Sequence, residues 1–281
     1  LKSRVGMVPN YTQARQIQMK ATKPVVMTFS GSDPTSGAGL QADVLAIANN
    51  GCHPVTVVTS ITSQDTVGVN HIDPVPPETI RRQAEVILSD VRVAVFKVGM
   101  IFDLATAREV SRLFGLYPEV PVILDPVLAS GRGDEFGGDA VLRELISSLL
   151  PNVYLMTPNT LELERIGRAL GEKLTRRDIV DELLSLGVKS VLVTGTHSEI
   201  SDVENTLYRG SASAKSWSWP RLNEDYHGSG CTLAASVAAC IARGFDLEEA
   251  VFVAQRYTYQ SLLGGFPIGS GQTIPDRMIE T

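Results

Sequence analysis

The chain has 281 residues, 43% of them hydrophobic and 20% charged, which supplies a sizeable core and excludes a disordered protein. With 25 Lys and Arg against 31 Asp and Glu, the net charge of -6 has the wrong sign for a general nucleic-acid or anionic-membrane binder, so an anionic substrate has to be met by local positive features. The three cysteines, at 52, 231 and 240, form neither an even disulfide framework nor a CxxC zinc pattern, which fits a reducing, cytoplasmic setting.

Residues 1–23 carry Lys2, Arg4, Arg15, Lys20 and Lys23 and no acid. They lack the continuous apolar core of a secretory signal and read as an N-terminal extension, with a composition that organelle transit segments share. From residue 24 to 281 a single domain is expected, because no repeat, low-complexity tract or polar linker interrupts the pattern. Val25 to Phe29 reads as a first strand, Gly39 to Asn49 as a helix and Val55 to Thr59 as a second strand. The uncharged stretch Val44 to Gln64 is long enough to span a bilayer, but Asn49-Asn50-Gly51 and His53-Pro54 break it into helix, turn and strand. Pro77 to Ser89 places Ile80, Ala84, Ile87 and Leu88 on one helical stripe.

Further short apolar runs, Val93 to Val98, Val120 to Leu124, Val153 to Met156 and Ser190 to Val193, suit strands covered on both faces. Thr175 caps a helix running to Leu186, with Asp178 in its first turn. Glu199 to Trp219 lacks helical period and turns at Gly210, an edge hairpin. Two helices, from about Cys231 and from about Leu247, close the chain. Strands alternating with helices predict an α/β fold with a mostly parallel sheet, and a ligand beyond the carboxyl ends of its strands.

Three sets of residues point to chemistry. His227-Gly228-Ser229-Gly230-Cys231-Thr232-Leu233 opens an alanine-rich helix, where small residues admit a ligand and unpaired N–H groups attract an anion. The same helix end is expected to lower the Cys231 thiol pKa and make it a proton acceptor, although the pattern also suits a tight turn with a buried cysteine. A second glycine-rich stretch, Gly31 to Asp43, contains Gly37-x-Gly39-x-x-Ala42, a relaxed dinucleotide fingerprint set six residues too far from its strand. Finally, Asp125 ends a strand, and Asn159 with Glu162 begins a helix; these are hard oxygen donors suited to magnesium among phosphates, or else a turn former and a capping box. No GxxxxGK[ST], HExxH or GxSxG sequence occurs, which argues against P-loop, zincin and α/β-hydrolase chemistry.

Taken with Thr62-Ser-Gln-Asp-Thr-Val-Gly-Val69, Lys97-Val-Gly-Met100, Asp125-Pro-Val-Leu128 and Thr157-Pro-Asn-Thr-Leu-Glu162, the two glycine-rich stretches resemble the ribokinase superfamily. Within it they resemble the hydroxymethylpyrimidine and phosphomethylpyrimidine kinases of thiamine synthesis, from Pro24 to about Pro267. The resemblance implies a ribokinase-like three-layer α/β/α fold, ATP and Mg2+ as co-substrates, and phosphorylation of 4-amino-5-hydroxymethyl-2-methylpyrimidine and then of its monophosphate. It also implies a homodimer.

By residue, the resemblance puts the pyrimidine on Gln64, with Gly31, Asp43, Met100 and Val127 lining the same pocket. A primary amide suits the adjacent donor and acceptor of an aminopyrimidine. Gly228, Ser229, Gly230 and Cys231 take the anion hole and the proton-accepting role, and Asn159, Glu162 and Asp125 the magnesium and phosphates. Thr194-Gly195-Thr196-His197 stands where many relatives have Lys-Gly-Gly-His, so a cation is lost near the nucleotide, and Arg132 is expected to supply it. A pyridoxal kinase, a silent pyrimidine-binding protein and a nicotinamide dehydrogenase are the competing readings.

Overall fold

The structure, a computed structural model, describes residues 23–129, 136, 138–171, 174–195, 202–210 and 213–279. Arg132, Thr196, His197 and residues 1–22 lie outside the described residues. Nine strands form one sheet: β1 Val25–Ser32, β2 His53–Gln64, β3 Val69–Pro74, β4 Val95–Val98, β5 Val122–Leu124, β6 Val153–Met156, β7 Ser190–Val193, β8 Asp202–Arg209 and β9 Ser213–Pro220. Their spatial order is β3-β2-β1-β4-β5-β6-β7-β8-β9. The pairs from β2 through β7 are parallel; β8 and β9 form the expected antiparallel edge. An antiparallel strand at the other edge, β3 against β2, was not expected, because Val69 to Pro74 is too polar and exposed to stand out as a strand.

The helices are α1 Gly39–Asn49, α2 Pro77–Leu88, α3 Leu104–Gly115, α4 Gly138–Glu144, α5 Thr160–Leu170, α6 Arg176–Ser185, α7 Ser229–Ala242 and α8 Leu247–Leu263. Side chains that alternate along each strand feed two cores. Phe29 and Phe96 face the layer of α2 to α6, where both pack on Phe114; Val26, Val95 and Ile123 face α1, α7 and α8. The same alternation puts Thr28, Ser30 and Lys97 on the α1 and α7 side, a buried polar cluster among apolar neighbours. Asp178 closes a capping box with Thr175, as its spacing predicts. Three layers are the result, with the strand order reversing at β1, between β2 and β4; that break opens the crevice in which open α/β sheets hold ligands.

Candidate active site

A cleft of about 880 Å³ runs along the carboxyl ends of the strands and is lined by Gln64 at one end, Gly228 to Cys231 at its middle and Asn159 and Thr194 beyond. Its size is that of a small-molecule site able to take more than one ligand. Gly31, Met100 and Val127 share the Gln64 end. A Cβ at Gly31 would stand 2.9 Å from Met100 Cε, so the glycine leaves the methionine its place on the wall. The Gln64 amide donates to Thr62 Oγ1 (2.7 Å), which itself donates to the Ser32 carbonyl (2.8 Å). No hydrogen bond to the Gln64 carbonyl oxygen occurs among the described residues.

The start of α7 is held by contact between the two glycine-rich loops. Gly228 caps α7 with φ +80°, and a Cβ there would lie 2.0 Å from the Gly37 carbonyl oxygen; only glycine fits. The Asp33 carboxylate, 1% exposed, takes the Thr35 and Ala38 N–H groups (2.8 and 2.7 Å) and lies 2.9 Å from His227 Nε2, joining one loop to the other. Burial works against its charge, but these hydrogen bonds, led by His227, outweigh it and hold its pKa below the usual range. The Thr232 N–H bonds back to the Gly228 carbonyl (3.0 Å), whereas the N–H groups of Ser229, Gly230 and Cys231 have no acceptor among the described residues. Three donors at a helix N-terminus, in a cleft, are a site for an anion.

Behind them lies a buried cluster of charge. Lys97 and Asp43, each wholly buried, form an ion pair at 2.8 Å, and Thr28 and Ser30 donate to Asp43 at 2.6 Å. Burial opposes the Lys97 charge, yet Asp43, Cys231 and Asp125 together hold its pKa above the ordinary value. Asp43, expected on the pocket wall, does not line the cleft and lies behind it, where Thr28, Ser30 and Lys97 all bond to its Oδ2 and Oδ1 faces only the Lys97 charge. The thiol of Cys231 does line the cleft, but its expected low pKa is corrected: burial pushes it up to about 12 despite Lys97 and the Gly39 N–H. A helix end lowers a thiol pKa only where the thiolate is not also stripped of water.

Asp125 stands beside Gly230, where a Cβ would be 3.7 Å from its Oδ1. Its pKa is raised, by burial first and by Asp43, although Lys97, Cys231 and Thr157 favour the charge. Glu162 closes a capping box with Asn159, each side chain accepting the other's N–H at 2.9 Å. Burial and the Asp125 charge raise its pKa as well. The capping reading and the ligand reading of Asn159 and Glu162 are thus compatible, since the cap leaves the carboxylate at the cleft. Two mutually disfavoured carboxylates, with Asp125 Oδ2 buried and lacking a hydrogen-bond partner, fit a divalent cation. No group of three or more acidic, His or Cys ligands occurs among the described residues, and magnesium held among phosphates and water requires only one or two carboxylates.

At the far end Thr194 bridges to Asn159. Gly195 lies off the cleft, packed on β8, with its N–H donating to Asn205 Oδ1 (3.0 Å). Asn205 in turn donates to Gln255 Oε1 (2.8 Å), which also accepts the Trp219 indole N–H (3.0 Å). Sequence reasoning missed this network and assigned no role to Lys97 or Asp33. A lone lysine in an apolar strand was a usable signal for Lys97, and the Asp-Pro-Thr turn for Asp33; nothing local marked Asn205 or Gln255.

No described helix is long and apolar enough to cross a membrane. The structure of a Bacillus subtilis pyridoxal kinase in complex with ADP superposes on this chain with a TM-score of 0.82 over 91% of it and 98% of that chain, at 23% identity, a likeness of fold. A Mycobacterium bovis hydroxymethylpyrimidine/phosphomethylpyrimidine kinase is 34% identical over 256 residues, 89% of this chain and 92% of that protein. A bifunctional thiamine biosynthesis protein of Geobacter sulfurreducens is 34% identical over 247 residues, 88% of this chain, which spans only 50% of that longer protein. The family model for phosphomethylpyrimidine kinase matches residues 33–276, from the aspartate that ties the two glycine-rich loops together into the C-terminal segment packed against them. The chain belongs to the phosphomethylpyrimidine kinase family.

Proposed function

We propose that this chain transfers the γ-phosphoryl group of ATP to the hydroxyl of 4-amino-5-hydroxymethyl-2-methylpyrimidine and then phosphorylates the monophosphate again. The observation that carries the reading is one cleft that joins the Gln64 amide to three unengaged N–H groups, at Ser229, Gly230 and Cys231. Gln64 pairs with the aminopyrimidine edge while Met100 and Val127 cover the ring. The hydroxyl oxygen attacks the γ-phosphorus, the bond to the β-phosphate oxygen breaks and ADP leaves, while the three amides hold the charge of the transferring group.

The raised thiol pKa sets the route of the proton. Cys231 accepts the hydroxyl proton as its own moves to Asp125, whose raised pKa suits it to receive one. Asn159, Glu162 and, through water, Asp125 would hold magnesium, which when bound neutralises phosphate charge. Thr194 lies toward the nucleotide, with Gly195 behind it, and Arg132 is assigned to the ATP phosphates in place of the missing lysine. A cytoplasmic homodimer belongs to the same proposal, and light scattering checks the dimer.

The test is incubation with ATP, Mg2+ and the hydroxymethylpyrimidine, with mass analysis of mono- and diphosphate products and pyridoxal as a parallel acceptor. Pyrimidine-dependent phosphate esters are expected. Turnover of pyridoxal alone would move the chain to the vitamin B6 kinases, and no turnover of either would make it a binding protein.

A further inference from the structure

The C-terminal segment after α8 touches the turn after Gln64 and both glycine-rich loops. Gln272 N–H bonds to the Thr66 carbonyl (2.9 Å) in the turn that follows Gln64, and the His227 N–H bonds to the Thr273 carbonyl (3.0 Å). Four residues on, Arg277 is 2% exposed. Its Nε donates to Thr232 Oγ1 (2.9 Å), Nη1 to the Ser36 carbonyl (3.2 Å), and Nη2 to the carbonyls of Gly37 and Gly228, the latter at 3.4 Å. Every one of these partners is a neutral oxygen, and no carboxylate pairs with it among the described residues. Burying a guanidinium with no counter-ion is costly, and desolvation accordingly lowers its pKa.

A planar trans peptide sends its C=O and the following N–H in opposite directions. The Gly228 carbonyl also accepts the Thr232 N–H (3.0 Å) and the Thr232 hydroxyl (2.8 Å), the same hydroxyl that Arg277 Nε orients, so Arg277 holds this carbonyl both directly and through Thr232, and the Ser229 N–H is turned the other way, into the cleft. Were that peptide to flip, a carbonyl oxygen would replace a donor in the anion hole. The Gly228 backbone, at φ +80° and ψ 24°, has the conformational freedom to do so.

We propose that Arg277 is a positioning residue that locks the Gly228–Ser229 peptide, and so the anion hole, in its phosphate-accepting orientation, and that it adds positive charge behind that hole. The inference rests on the phosphoryl-transfer reading above. It binds neither substrate, so its removal should lower kcat and spare pyrimidine affinity.

The experiment compares Arg277→Met and Arg277→Lys with wild type by steady-state kinetics, pyrimidine titration calorimetry and melting temperature. Loss of one oriented donor costs about 10²-fold in turnover, so kcat of the Met variant should fall by roughly that factor while pyrimidine Kd stays within about twofold. Added guanidinium at low millimolar concentration should restore part of the rate. Unchanged kcat in the Met variant overturns the proposal, as does a loss of kcat and pyrimidine affinity together that guanidinium does not relieve. If the Met variant does not fold, the Lys variant decides: kcat below wild type at unchanged pyrimidine affinity supports the role, and wild-type kcat overturns it. If wild type itself turns over no pyrimidine, the reaction assignment fails and Arg277 is judged by inorganic vanadate instead. The vanadate-induced rise in melting temperature should then be lost in the variant, and its retention overturns the proposal.

Discussion

Replacing Glu162 by Gln should stabilise the metal-free protein near neutral pH and abolish its response to magnesium. Gln keeps the carbonyl oxygen that accepts the Asn159 N–H at 2.9 Å, so α5 keeps its cap, while the charge and the bond from the Leu128 N–H are lost together. Burial and the Asp125 charge raise the native pKa of Glu162 above the ~4.3 expected of the unfolded chain. Between those two values the native state binds more protons than the unfolded state, so stability falls as pH rises through the window, and the loss is complete above the native pKa. Each unit of displacement is worth ~1.4 kcal/mol, or roughly 3–6 °C in melting temperature for a chain of this size.

The variant escapes that loss. In EDTA its melting temperature should match wild type at ~pH 4 and exceed it by at least about 3 °C at ~pH 8.5. Adding magnesium to the ADP-bound protein should raise the melting temperature of wild type further and leave that of the variant unchanged. A variant no more stable than wild type at the higher pH would refute the claim that Glu162 is a disfavoured charge awaiting a cation.

Cys231→Ala should abolish turnover while calorimetry finds pyrimidine binding nearly intact, and full activity would remove the thiol from the proton route. With its pKa pushed up to about 12, Cys231 should react with iodoacetamide at ~pH 8 on the order of 10³ times more slowly than a free thiol; rapid labelling read by mass spectrometry would contradict the burial account. Gly228→Ala forces a Cβ to within 2.0 Å of the Gly37 carbonyl and should cost about 10²–10³ in kcat, measured by ADP release. Lys97→Met strands Asp43 in a site with no exposure and should lower unfolding free energy by about 3–5 kcal/mol in urea titration; a change under about 1 kcal/mol would mean that the pair is not the buried charge described.

The parallel core was legible because β1, β4, β5, β6 and β7 are short Val, Ile and Leu runs, and the Thr175 and Asp178 spacing announced α6 through a cap that the structure contains. The edge strand β3 was not, because Val69 to Pro74 has no buried face to impose a period. At the site, local glycine patterns and a strand-end acid pointed to Gly228 to Cys231 and Asp125, whereas Gly31, Gln64 and Met100 came from the family resemblance; all of them line the one cleft. What they could not convey is which charge faces which. Asp43 turns to Lys97, 54 residues away, and that pairing is decided by packing between α1 and β4. Arg277 reaches Gly37 across 240 residues, a contact with no local signature. The thiol pKa was misread for a related reason: the helix end is a local feature, whereas desolvation is a property of the assembled layers.

The break in strand order at β1 also divides labour within the cleft. Gln64, Gly31 and Met100 hang on β2, β1 and the end of β4, whereas Asn159, Thr194 and Asn205 hang on β6, β7 and β8. Between the two groups the cleft is lined by Asp125, after β5, and by Gly228 to Cys231 at the start of α7. Under the proposed reaction, a change of acceptor ring can evolve on one side of the seam while the side proposed for the triphosphate stays as it is, and chimaeras that exchange strands on a single side test that division.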